Sequence, residues 1–139
     1  MTTTPVTDDA AERGFTEPGT FGRHLLIDMA GCDAAFVRNA DAVAEWAAHL
    51  VDEIGMDPFG EPIVLRFGKG SLFGNSVFQP ITTSHIAVHA NDDALTAFAD
   101  VYSCTEFNVD AAVAFTVRAF GARAHTVQNV LRVAPTLDA

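Results

Sequence analysis

The sequence predicts an α+β domain, a mainly antiparallel β-sheet with helices on one face, forming an α/β sandwich. Short strand-like apolar runs recur along the whole chain. Only two stretches carry the 3.6-residue helical period, and they lie far apart. About half of the 139 residues are apolar (49%), with eleven Phe, so one sizeable core can form and there is room for a single domain.

The elements follow in order. Residues 1–20 are rich in Thr, Asp, Glu, Pro and Gly without periodicity and read as a disordered N-terminal tail; the domain spans 21–134. Residues 23–30 (RHLLIDMA) suit a buried strand closed by Gly31-Cys32-Asp33. A helix capped near Asp33 runs to about Ile54, because Phe36, Ala40, Val43, Ala47, Leu50 and Ile54 fall on one face and Gly55 ends it. Residues 63–67 (IVLRF) form a strand, then a loop carries Gly68, Gly70 and Gly74. Gly68-Lys69-Gly70 lacks the Gly-Lys-Ser/Thr step into a helix that a phosphate-binding loop needs. Residues 77–81 contain Pro80 and suggest an edge or irregular strand. Residues 84–90 and 98–103 are strands around an Asn91-Asp92-Asp93 turn. Asn108 caps a second helix that Gly121 closes, and 124–133 is the last strand.

The formal charge is −10, from eighteen acidic against eight basic residues. No basic stripe exists to neutralise phosphates, which argues against nucleic-acid and anionic-membrane partners. Two cysteines without a Cys-x-x-Cys pair, no leader-like N-terminus and no apolar run of about 20 residues give the expectation of a soluble cytoplasmic protein.

Chemistry-bearing residues concentrate between Ser76 and Cys104. Ser84 has no nucleophile-elbow glycines around it. His85 and His89 share a face at i, i+4 spacing, but the Cys-x-x-Cys expected of a structural zinc site is missing, and no metal is expected. A buried histidine satisfied by a backbone carbonyl and a cysteine acting as a small hydrophobe are the alternatives for His85 and Cys104.

Taken together these residues resemble the prokaryotic S-adenosylmethionine decarboxylases, proenzymes that cleave themselves to make a pyruvoyl group. Gly22-Arg23-His24-Leu25-Leu26, Gly31-Cys32-Asp33, Ser76, Ser84-His85, His89 and Asp100-Val101-Tyr102-Ser103-Cys104 carry the likeness over residues 21–134. The resemblance implies cleavage between Thr83 and Ser84, giving a β chain to Thr83 and an α chain from Ser84. It makes Ser84 the pyruvoyl precursor that forms a Schiff base with an amino-acid-type substrate. Ser76 supports processing by stabilising the oxyanion, His89 is the base for the Ser84 α-proton, and Cys104 is the proton donor in decarboxylation. S-adenosylmethionine, in spermidine and polyamine synthesis, is the implied substrate, and a homodimer the implied assembly.

Two departures stand out. Thr83 replaces the family's Glu before the processed serine, and Asn91-Asp92-Asp93 replaces its Trp-Pro-Glu. The second brings in ornithine or arginine as alternative substrates, with Asp92 and Asp93 holding a distal cation. The first brings in a homologue that never cleaves and serves as a binding or regulatory subunit. Strict strand alternation also puts Ser84 and His89 on opposite faces.

Overall fold

The computed structural model describes residues 9–137. Six strands, β1 (Thr20–Ala30), β2 (Ile63–Phe67), β3 (Gly74–Ile81), β4 (Ser84–Asn91), β5 (Ala97–Ser103) and β6 (Ala124–Val133), form one sheet. Their order is β2-β3-β4-β5-β1-β6, with every pair antiparallel. Helices α1 (Ala34–Val37), α2 (Ala40–Glu53) and α3 (Val109–Phe120) complete the α+β architecture that the sequence predicts.

Period-two alternation divides the sheet. Leu25, Ile27 and Met29, then Val77 and Ile81, Ile86 and Val88, and Ala99 and Val101 are buried, in one core with Val43, Trp46, Leu50, Ala112 and Phe120 from the helices. Trp46 packs edge-on to Phe120 at 5.1 Å, and its indole N–H donates to Thr116 Oγ1 at 3.1 Å, so its one polar atom is satisfied inside the core. The other face is open. His24, His85, His89, Asp100 and Tyr102 lie on it beside exposed Phe78 and Phe98.

Three local differences from the sequence reading have physical causes. The helix expected from Asp33 to Ile54 is two helices, because Asn39 leaves the helical conformation and its side chain caps α2 by accepting from the Ala42 N–H at 3.1 Å. The Pro80 strand is not an edge: β3 lies between β2 and β4. Pro80 sits beyond the end of β2, and its carbonyl accepts from Phe59 N–H on that side, so the missing N–H costs no bond to β4. Within the expected tail, residues 9–19 bury Ala10 and Phe15, and Arg13 donates to the carbonyls of Thr20, Phe21 and Cys104; residues 1–8 lie outside the described part.

Candidate active site

β3 and β4 are joined by a two-residue turn, Thr82-Thr83, closed by the Ile81–Ser84 pair. Both turn residues are β-branched and poorly suited to the positive φ that tight hairpins favour. The positive φ falls instead on Ser84, at 153°; among the described residues only Leu95 shares this property without being glycine. A side chain in that region is strained, typically by about 1–3 kcal/mol. The strain sits at the residue following the Thr83–Ser84 peptide.

The same peptide is held from several sides. Thr83 C=O accepts from Cys104 N–H at 2.9 Å, and Thr82 N–H donates to Asp57 C=O at 3.0 Å. Thr83 Oγ1 lies 3.0 Å from Ser103 Oγ and donates to Met56 Sδ at 3.4 Å. Cys104 is positioned in turn: Arg13 holds its carbonyl, and the following loop is clamped by a two-pronged Arg23–Glu106 pair at 2.6 and 2.7 Å. The hydrogen bond from Arg23 holds the Glu106 carboxyl below its ordinary pKa, against a smaller opposing effect of burial.

Ser76 and His89 face each other across β3 and β4, with Ser76 Oγ 2.6 Å from His89 Nδ1 and His89 Nε2 2.9 Å from Leu72 C=O. A carbonyl only accepts, so Nε2 carries the proton and Ser76 donates to Nδ1. This pair is five residues along β4 from Ser84. At about 3.3 Å per residue the separation is roughly 16 Å, so one chain does not bring Ser76 or His89 to the Thr83–Ser84 bond. The donor found at the Thr83 carbonyl is the Cys104 N–H. Asp92 and Asp93 lie farther still, past the opposite end of β4. Asp92 is paired with Arg66 at 2.6 Å, and Arg66 also stacks over Phe73, whereas Asp93 is exposed.

A cluster that the sequence gives no role stands next to Ser84. His24, His85 and Asp100 come from three strands, and both imidazole Nε2 atoms lie 2.9 Å from the same oxygen, Asp100 Oδ2. Burial works to raise the Asp100 carboxyl, but its interactions with His85 and His24, the two hydrogen bonds foremost, outweigh it and bring it below its ordinary value. Their ligand-type atoms fall within 4.8 Å of one another. However, Arg132 Nη1 is 3.1 Å from His24 Nδ1. A guanidinium only donates, so His24 keeps its proton on Nε2, facing Asp100, where a metal would require a lone pair. His24 and Asp100 belong to motifs visible in the sequence, but only the β4-β5-β1 strand order reveals that they meet.

Fold and site thus define a class, a single antiparallel sheet domain that presents a strained serine peptide bond at a hairpin tip. The model of the S-adenosylmethionine decarboxylase family matches residues 23–133, and the chain belongs to that family. An S-adenosylmethionine decarboxylase proenzyme of Acetivibrio thermocellus is 32% identical over 85 residues, 61% of this chain and 65% of that protein. Those of Thermococcus kodakarensis and Pyrococcus abyssi are 31% and 30% identical over 118 and 114 residues. These two matches cover 84% and 81% of this chain and 80% and 79% of the relatives. The crystal structure of the adenosylmethionine decarboxylase from Aquifex aeolicus superposes with a TM-score of 0.71 at 20% identity, over 86% of this chain and 97% of that one, and shares the fold. Among the described residues no helix is long and apolar enough to cross a membrane.

Proposed function

We propose that this protein cleaves itself between Thr83 and Ser84 and then acts as a pyruvoyl-dependent S-adenosylmethionine decarboxylase in polyamine synthesis. The observation that carries the reading is the geometry of that one bond: positive φ at Ser84, with a backbone donor on the Thr83 carbonyl. Family membership and the relatives' names support the substrate.

Ser84 Oγ is already tethered beside the Thr83 carbonyl carbon, so attack is intramolecular and proximity replaces a collision. The Cys104 N–H donates to the oxygen that becomes negative as the tetrahedral centre forms. The Cys104 N–H meets the backbone carbonyl of residue 83, a contact that does not depend on the side chain there. Loss of the Ser84 α-proton, for which His89 is the base, then leads by elimination and hydrolysis to a pyruvoyl N-terminus on the α chain. That group supplies a carbonyl that condenses with the substrate amine and draws electrons as carbon dioxide leaves. The partly exposed Cys104 side chain belongs to the residue that touches the scissile carbonyl, consistent with its thiol returning a proton to the product carbon.

Within one chain His89, with Ser76 behind it, lies too far along β4 to act on Ser84, so its role as base calls for a second copy of the chain. A homodimer is therefore part of the proposal. The pairing of Asp92 with Arg66 removes one of the two carboxylates that would hold ornithine or arginine. Carbon dioxide release measured side by side from S-adenosylmethionine, ornithine and arginine tests the substrate. Release from S-adenosylmethionine alone is expected. Turnover of either amino acid at a higher kcat/KM overturns the assignment.

A further inference from the structure

We propose that His85 is the base that takes the Ser84 hydroxyl proton in the acyl shift, held in that role by Asp100, His24 and Arg132. The inference rests on the self-cleavage reading and assigns a step distinct from α-proton removal by His89.

Arg132 donates to His24 Nδ1, which fixes the His24 proton on Nε2, and that N–H donates to Asp100 Oδ2 at 2.9 Å. The same oxygen accepts from His85 Nε2 at 2.9 Å. His85 Nδ1 is then the atom left with a lone pair, and it lies 3.4 Å from Ser84 Oγ. Neighbouring strand residues ordinarily point to opposite faces; Ser84 departs from ordinary strand geometry at φ 153°, and its hydroxyl stands beside the imidazole of its own neighbour. The line Ser84–His85–Asp100 has the nucleophile, base and orienting carboxylate in hydrogen-bond order. His24 and Arg132 extend it by fixing which way the protons run. Tyr102 packs against both imidazoles, at 5.4 Å from His24 and 6.1 Å from His85, and limits their rotation.

The step balances without any added reagent. The Ser84 O–H proton passes to His85 Nδ1 as Oγ bonds to the Thr83 carbonyl carbon. The oxygen, now negative, accepts from Cys104 N–H. When the carbon–nitrogen bond breaks, the Ser84 nitrogen takes the proton back from His85 and leaves as an amine, so the product is an ester isomer of the starting chain. His85 touches the reacting atom and is the catalytic residue. Asp100, His24 and Arg132 are positioning residues.

The test follows loss of full-length mass with time in freshly made full chain. His85→Ala is expected to cleave at least about 100-fold more slowly than the parent, the lower end of what a positioned base contributes, and Asp100→Asn at least about tenfold more slowly. The control against a folding defect is a Ser84→Cys background at pH above about 9, where a thiol of ordinary pKa near 8.5 is ionised without help. There the acyl shift, read by hydroxylamine cleavage of the thioester, should fall less than about threefold when His85→Ala is added. A parent that cleaves while His85→Ala cleaves within about threefold of it overturns the role of His85 and leaves self-cleavage standing. Equal large losses in the serine and cysteine backgrounds also overturn it, because they mark a structural role. A parent that never cleaves removes the self-cleavage reading itself.

Discussion

Replacing Ser84 by Gly and by Ala separates stored strain from ordinary strand preference. At a relaxed strand position Gly is less stable than Ala by about 0.5–1 kcal/mol, because the glycine backbone loses more freedom on folding. At φ 153° the preference should reverse. Ala retains the Cβ and with it a strain of about 1–3 kcal/mol, which Gly does not carry. Ser84 is only partly buried, so the methyl group contributes little to the core and barely offsets that difference. The balance favours Gly by roughly 0–2.5 kcal/mol, about 1 at the middle of both ranges. Both variants lack the hydroxyl and stay uncleaved, so their urea transitions can be compared directly. A higher midpoint for Ser84→Gly at an unchanged slope is the expected result. If Ser84→Ala is as stable as Ser84→Gly or more so, the backbone before cleavage is not strained, and ground-state strain drops out of the account.

Three further outcomes follow. Glu106 has a lowered pKa in the folded chain, so the stability it adds is present above the unfolded carboxylate value and is lost as pH falls through the folded one. Glu106→Gln should therefore cost about 1 kcal/mol in urea at pH 7, with the gap from the parent closing below about pH 4; a gap independent of pH would contradict this. A Cβ on Gly74 would fall 1.7 Å from the Ala90 carbonyl oxygen, whereas one on Gly55 meets nothing within 4 Å. Thermal melting should show Gly74→Ala losing about 3 kcal/mol or failing to fold and Gly55→Ala losing about 1, and equal losses would refute the close β3–β4 approach. Finally, mixed dimers of a Ser84→Ala chain and a His89→Ala chain should restore cleavage of the latter, because its intact Ser84 then meets a His89 from the other copy. Mixed dimers that form without cleavage would exclude His89 acting across the interface.

The sheet was legible because most of its strands alternate over one buried face, and both helical stretches declared themselves by period and by the glycines at their ends, the second also by its Asn108 cap. The break at Asn39 was not, since the apolar stripe runs through it and only the cap geometry interrupts the helix. For the site, the importance of the 76–104 stretch came from residue identity and spacing, but the working contacts came from strand pairing. The Cys104 N–H on the Thr83 carbonyl is a backbone group and leaves no mark in a sequence. Asp100 is 15 positions from His85 and 76 from His24, and nothing local joins them. The separation of Ser84 from His89 was readable in part: alternation put them on opposite faces, and the rise per residue of an uninterrupted strand adds the distance.

On the proposed reading, one peptide bond of this chain, Thr83–Ser84, is built to break. Intact-mass analysis of the purified protein after prolonged incubation tests it most directly. Two fragments divided between Thr83 and Ser84 are expected, the second blocked by a pyruvoyl group and resistant to N-terminal sequencing, with Ser84→Ala remaining whole. A parent chain that stays at full length, or fragments that persist in Ser84→Ala, would contradict it.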